Sequence, residues 1–122
     1  ILLVKQSYGK RWGTPGGLAK RHELPQDAAV RETKEEVNLK IRLISEAAVV
    51  VEPIPHRVDV VYLAQAFEPA FIEQVRPSSP EIERAEWFKL SELPEMQIET
   101  VAALRALGRS GALDISAANL PN

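Results

Sequence analysis

The sequence predicts an α+β fold with two main helices. Three observations carry that expectation. The run Pro25–Val37 has no helix breaker after its opening proline and is rich in Ala, Glu, Lys and Arg. Arg57–Phe67 is strongly β-forming through Val58, Val60, Val61, Tyr62 and Phe67. A second helical region, Leu93–Leu107, spaces Val101, Leu104 and Leu107 for burial.

The elements follow in chain order. Ile1–Lys5 reads as a strand, and a glycine-rich loop with Trp12-Gly13-Thr14-Pro15-Gly16-Gly17 comes after it. Pro followed by two glycines marks a tight turn, where the backbone reaches dihedrals closed to other residues and can approach a ligand closely. Pro25 suits the first turn of a helix, because its missing N–H would be unpaired there anyway. Lys40–Val51 is a strand region, bent or divided, and Pro53, Pro55 and His56 mark a turn. Beyond Arg57–Phe67, Pro69–Pro80 reads as a loop and Arg84–Lys89 as a short strand. Gly108 is placed to end the second helix. The tail from Arg109 is polar and rich in small residues, and gives no further signal.

One domain over residues 1–122 is expected. The 122 residues, 45% hydrophobic and 26% charged, fit a single core, and no repeat, low-complexity tract or linker interrupts them. A net charge of −2 gives no electrostatic reason to expect nucleic-acid binding. No apolar stretch is long enough to span a membrane. No signal-peptide pattern is visible, and the start at Ile1 rather than Met is compatible with a trimmed N-terminus. Zero cysteines exclude disulfides, thiolate catalysis and Cys-based zinc sites, and are compatible with a cytoplasmic location. Oligomeric state is not legible here.

The first helix carries the chemical signal. At 3.6 residues per turn, Ala29, Val30, Thr33 and Val37 fall on one side. Glu32, Glu35 and Glu36 gather on another, at spacings of three and four. Each like-charge pair at such spacing costs roughly 0.2–0.5 kcal/mol. Glu35 and Glu36 also occupy the last turn, where the negative end of the helix dipole disfavours anions. A divalent cation bound by the three carboxylates would reverse each of these effects. A cluster of glutamates on a helix is more often a solvated face, but the PGG turn just upstream allows backbone amides and carboxylates to face one site.

The segment Gly17–Leu39 resembles the Nudix box, G-x5-E-x7-R-E-U-x-E-E-x-G-U, with U a bulky apolar residue. Gly17, Glu23, Arg31, Glu32, Glu35, Glu36 and Leu39 fit it. Thr33 stands where an apolar residue is usual, and Asn38 where the final glycine belongs. Asn is the residue after Gly most able to adopt the left-handed conformation that ends a helix, and neither departure removes a candidate ligand. Ile1–Val4, Trp12–Gly17, and Glu86-Trp87-Phe88 with Ser91–Pro94 resemble further family segments. The resemblance implies an α/β/α sandwich of helices around a mixed central sheet.

It also implies a reaction: hydrolysis of a phosphoanhydride in a nucleoside diphosphate linked to another group, a small molecule in the expected case. Mg²⁺, or Mn²⁺, would bind phosphate oxygens, offset developing charge and acidify a water. By the same resemblance Glu32, Glu35 and Glu36 are the candidate metal ligands, with Gly16 and Gly17 supplying backbone beside them. Glu32 or Glu35 is the preferred base, and a glutamate outside the box stays open. Arg31 is expected to fork onto Glu23, fixing the loop against the helix and aiming the ligands; the plainer reading is a solvent-facing arginine.

Other residues have plainer expected uses. Glu81 and Glu83 could supply an extra ligand or base, but a charged strand edge is their default. His22 and His56 lack metal-ligand spacing. Trp12 or Tyr62 could stack on a base, yet core packing is the commoner use, and Trp87 and Phe88 read the same way. Pro53 and Pro55 lie near where the family marks some substrate groups, but a turn explains both. There is no phosphate-loop or nucleophile-elbow pattern. A noncatalytic nucleotide- or protein-binding domain is the principal rival. An enzyme acting on RNA ends would need a basic groove and exposed aromatics.

Overall fold

The computed structural model describes residues 1–52 and 56–121. Among the described residues, seven strands and two α-helices follow one another: β1 Leu2–Gln6, β2 Trp12–Gly13, α1 Pro25–Val37, β3 Ile41–Leu43, β4 Ala48–Glu52, β5 Arg57–Val61, β6 Ala64–Ala66, β7 Ile82–Trp87 and α2 Ile98–Arg109. Short 3-10 helices lie at Pro69–Gln74 and Leu90–Glu92.

β1 is central to a sheet ordered β2-β1-β7. Its pairings are antiparallel, Val4 facing Gly13 and Leu3 facing Glu86, while a parallel bridge joins Trp12 to Met96. The ladders β3–β6 and β4–β5 form one bent hairpin, because Ile44 N–H donates to the Leu63 carbonyl between them at 2.8 Å. Side chains of successive strand residues point to opposite faces. Leu3 therefore enters a cluster with Trp12, Leu93, Met96 and Leu104 of α2, while Val4 joins Val37 of α1, Leu39 and Ile82. β1 is thereby sandwiched between the helices. Leu3 and Val37 are fully buried, each stabilising the fold by roughly 1.5–3 kcal/mol through apolar burial.

The expected boundaries need several corrections. Lys40–Val51 is divided, and Arg57–Phe67 breaks at Tyr62–Leu63, where the long hairpin bends. The loop Pro69–Pro80 opens with a 3-10 helix. The second helix begins at Ile98, not Leu93, since Leu93 and Met96 enter the core ahead of it as extended chain. Gly108 does not end that helix. It lies inside it, and a Cβ there would come within 2.6 Å of Ile115 Cδ1, so the glycine permits close packing. Trp87 is 48% exposed; Phe88, one residue on, takes the inward position and meets Trp12 edge-on at 5.0 Å. Pro53 and Pro55 lie outside the described residues; His56 is an exposed turn residue.

The tail after α2 is structural. Leu113, Ala118 and Leu120 pack on the cluster around Leu93. The Asn119 amide pairs with the Leu93 backbone, accepting from its N–H at 2.8 Å and donating to its carbonyl at 3.0 Å.

Candidate active site

α1 spans Pro25–Val37 with Pro25 in its first turn and Asp27 near its positive end. It ends at Asn38, whose φ of 58° and ψ of 36° are left-handed, as the substitution for glycine requires. Asn38 N–H donates to the Lys34 carbonyl at 3.0 Å, and its side chain binds Lys34 Nζ and the Gln74 carbonyl. Thr33 is buried and turns its hydroxyl back to the Ala29 carbonyl at 2.8 Å. Its polar group is thus satisfied at a position where an apolar side chain would need no partner. Ala28 is the buried alanine of this helix, with Ala29 and Val30 only half-buried.

The three box carboxylates occupy different surroundings. The Glu35 side chain is 54% exposed. Glu32 is partly buried and lies over Gly17, where a Cβ would come within 2.7 Å of the carboxylate carbon. Glu36 is only 8% exposed and accepts the Gly16 N–H at 2.7 Å. Burial pushes its carboxyl up from 4.5 to about 7, against the Gly16 hydrogen bond and with help from the charges of Glu32, Glu81 and Glu35. The PGG turn and the acidic helix turn therefore meet, as the loop-to-helix spacing anticipated. A Cβ at 17 would displace the Glu32 carboxylate, and glycine is favoured at 16 by its φ of +144°.

Arg31 is not solvent-facing. Its Nε and Nη2 donate to the two oxygens of Glu23, each at 2.8 Å, and Nη2 also donates to the Leu18 carbonyl at 3.2 Å. Nη1 donates to Glu32 Oε1 at 2.9 Å and Glu35 Oε2 at 3.1 Å. The fork and a bond from the Lys20 N–H hold Glu23 down to about 2, and the Glu23 fork raises Arg31 in turn. The loop Leu18–Leu24 is thereby clamped to α1.

Outside the box, Glu81 is close enough to Glu36 to raise its pKa, whereas Glu83 pairs with Lys5 at 3.7 Å on the strand surface. His22 and His56 are exposed, and Tyr62 is half-buried. His22 has a φ of 67°, the left-handed geometry that lets the loop turn into Glu23. Trp12 packs in the core. Sequence reasoning brought the PGG amides and the carboxylates to one site without pairing Gly16 with Glu36, and it missed the Leu18 carbonyl as a partner for Arg31. Main-chain partners leave no side-chain pattern to read.

A small α+β domain with a carboxylate-bearing helix clamped to a glycine turn defines the class. The NUDIX domain model matches residues 1–107, and the chain belongs to the Nudix family. It is 35% identical over 107 residues to the m7GpppN-mRNA hydrolase dcap-2 of Caenorhabditis elegans, with 84% of this chain and 13% of that protein covered. It is 31% identical over 85 residues to the NAD-capped RNA hydrolase NudC of Pseudomonas fluorescens, covering 70% of this chain and 29% of the relative. The chain thus spans a minor part of both curated relatives. The crystal structure of a MutT NUDIX hydrolase from Burkholderia pseudomallei superposes with a TM-score of 0.67 at 30% identity, covering 88% of this chain and 87% of that one. Its likeness places the fold as Nudix α+β. Among the described residues, no helix is long and apolar enough to cross a membrane.

Proposed function

We propose that this protein is a metal-dependent Nudix pyrophosphohydrolase that cleaves a phosphoanhydride of a nucleoside diphosphate linked to another group. The observation that carries the reading is the meeting of Glu32 and Glu36 with the Gly16–Gly17 turn, with Arg31 forked onto Glu23 beside it.

The residues fit a hard divalent cation in kind. Carboxylate and backbone oxygens are the donors that Mg²⁺ and Mn²⁺ prefer. The mutual repulsion felt at Glu36 is what a cation among these groups would relieve. Among the described residues, no three carboxylates stand close enough together to hold an ion as they are, so side-chain movement is part of the proposal. Glu32, Glu35 and Glu36 would hold the ion, with the Gly17 backbone beside them. When bound, the ion supplies charge compensation for the diphosphate and makes a water more acidic.

The protein's own groups do the rest. Glu32 or Glu35 accepts the proton from the attacking water, and the Glu23–Arg31 fork fixes the helix turn that presents both. Glu81 is near enough to Glu36 to act electrostatically on the same site. The Gly16 N–H orients Glu36.

The test is mass-spectrometric product analysis after incubation with nucleoside triphosphates, nucleotide sugars, ADP-ribose and dinucleoside polyphosphates, with Mg²⁺ and with EDTA. Metal-dependent cleavage of one class supports the reading and names the scissile bond. Nucleotide binding without cleavage of any member would replace it with the noncatalytic binding domain.

A further inference from the structure

We infer that Arg31 competes with the divalent cation for Glu32 and Glu35, so that loading the site exchanges one arm of the guanidinium for the ion. This rests on the metal-dependent reading above and adds a residue that opposes the ion. An arginine side chain has five N–H donors in a fixed planar fork. Arg31 uses them in two groups. Nε and Nη2 serve Glu23 and the Leu18 carbonyl. Nη1 serves Glu32 and Glu35.

The division matters because the two groups have different partners on the chain. The first ties the Leu18–Leu24 loop to α1 and touches no candidate ligand. The second holds two of the three candidate ligands, while Glu36, the third, faces the Gly16 amide instead. The trio is therefore split between a guanidinium and a backbone N–H. A cation drawing Glu32 and Glu35 toward Glu36 must take acceptors from Nη1. It need not disturb Nε or Nη2, so Arg31 stays anchored throughout. Glu35 is the freer arm, being more than half exposed, whereas Glu32 is confined against Gly17.

Two readings of Arg31 then differ in sign. As a support alone, its removal disorders the ligands and weakens ion binding. As a competitor, its removal frees two carboxylates and takes a positive charge from beside the site, so binding tightens. Calorimetric titration of Mg²⁺ into the wild-type protein and Arg31→Gln, without nucleotide, separates them. The expected result is a dissociation constant lower by about fivefold in the variant, the effect of one partly exposed charge contact. A weaker binding constant in a folded variant overturns the inference and leaves the metal reading intact. Absence of Mg²⁺ binding to the wild-type protein defeats the metal reading itself, and this inference with it.

A second measurement needs no variant. In ¹⁵N-resolved spectra of the wild-type Arg31 guanidinium, Mg²⁺ should release the Nη1 protons from slow exchange while leaving the Nε–H signal in place. An Nη1 signal unchanged at saturating Mg²⁺ would also overturn the exchange.

Discussion

Gly17 and Glu32 cannot both carry a side chain at their present separation: a Cβ on Gly17 would lie 2.7 Å from the Glu32 carboxylate carbon and 2.8 Å from one of its oxygens. The obstructing group is the far end of a flexible side chain, so Gly17→Ala can be accommodated by moving Glu32. The expected outcome is a loss of less than about 1 kcal/mol in stability with a fall in kcat on the order of tenfold or more, since misplacing a reacting group is far costlier to rate than to folding. Thermal denaturation beside steady-state kinetics checks both halves. Unchanged kcat would remove Glu32 from the reaction.

Glu35→Gln isolates charge from shape. Its side chain is exposed apart from the Arg31 contact, so the melting temperature should move little. Turnover should fall by roughly a hundredfold or more if this carboxylate holds the ion or takes the proton. Full activity in the variant would sink the role assigned to it.

Glu36 makes folding sensitive to pH near neutrality. Its carboxyl is raised from 4.5 to about 7 in the fold, so the folded state binds the extra proton. Its destabilising effect is absent below 4.5, grows as pH rises toward 7 and is complete above that. The size is on the order of a few kcal/mol at most. Glu23 acts in the opposite sense and in another window: its carboxyl is lowered to about 2, so the stability it contributes is present above 4.5 and lost on acidification toward 2. Urea unfolding from pH 4.5 to 7.5 in the absence of divalent ions should therefore show a decline in the wild-type protein that Glu36→Gln lacks. Parallel pH profiles would refute the burial effect.

Asn119→Ala removes both partners of the Leu93 backbone at once. Leu93 is buried, and leaving its N–H and carbonyl unpaired should cost about 1–3 kcal/mol. The measurement is a denaturant midpoint shift. Catalytic parameters should stay unchanged for the population that is folded, because the contact lies outside the box segment.

The first helix was legible to the residue: Pro25 and Asn38 bracket it in sequence and in space. Its carboxylates were legible as a group but not as individuals. Spacing put Glu36 with Glu32 and Glu35 and could not reveal that it alone is buried, since burial depends on what the glycine turn brings over it. The fork from Arg31 to Glu23 was one of two readings the sequence left open beside a solvent-facing arginine, and the folded loop decides for it. The second set of Arg31 bonds was not readable, as a guanidinium can satisfy several carboxylates and spacing does not rank them. Gly108 misled because an isolated glycine signals a helix end or a close contact with equal force, and only Ile115 decides between them. The tail was unreadable for a related reason. Leu113, Ala118 and Leu120 have no periodicity of their own, and their burial comes from surfaces built earlier in the chain.

That last arrangement has a consequence during synthesis. The cluster joining Leu3, Leu93 and Leu104 is finished by Leu113, Ala118 and Leu120, which are synthesised after α2. Until those residues emerge, the face of that cluster which they cover stays open to water. The segment Gly17–Leu39 is thus synthesised well before the residues that cover this cluster, and in the interval Leu93 and Leu104 are open to other partners.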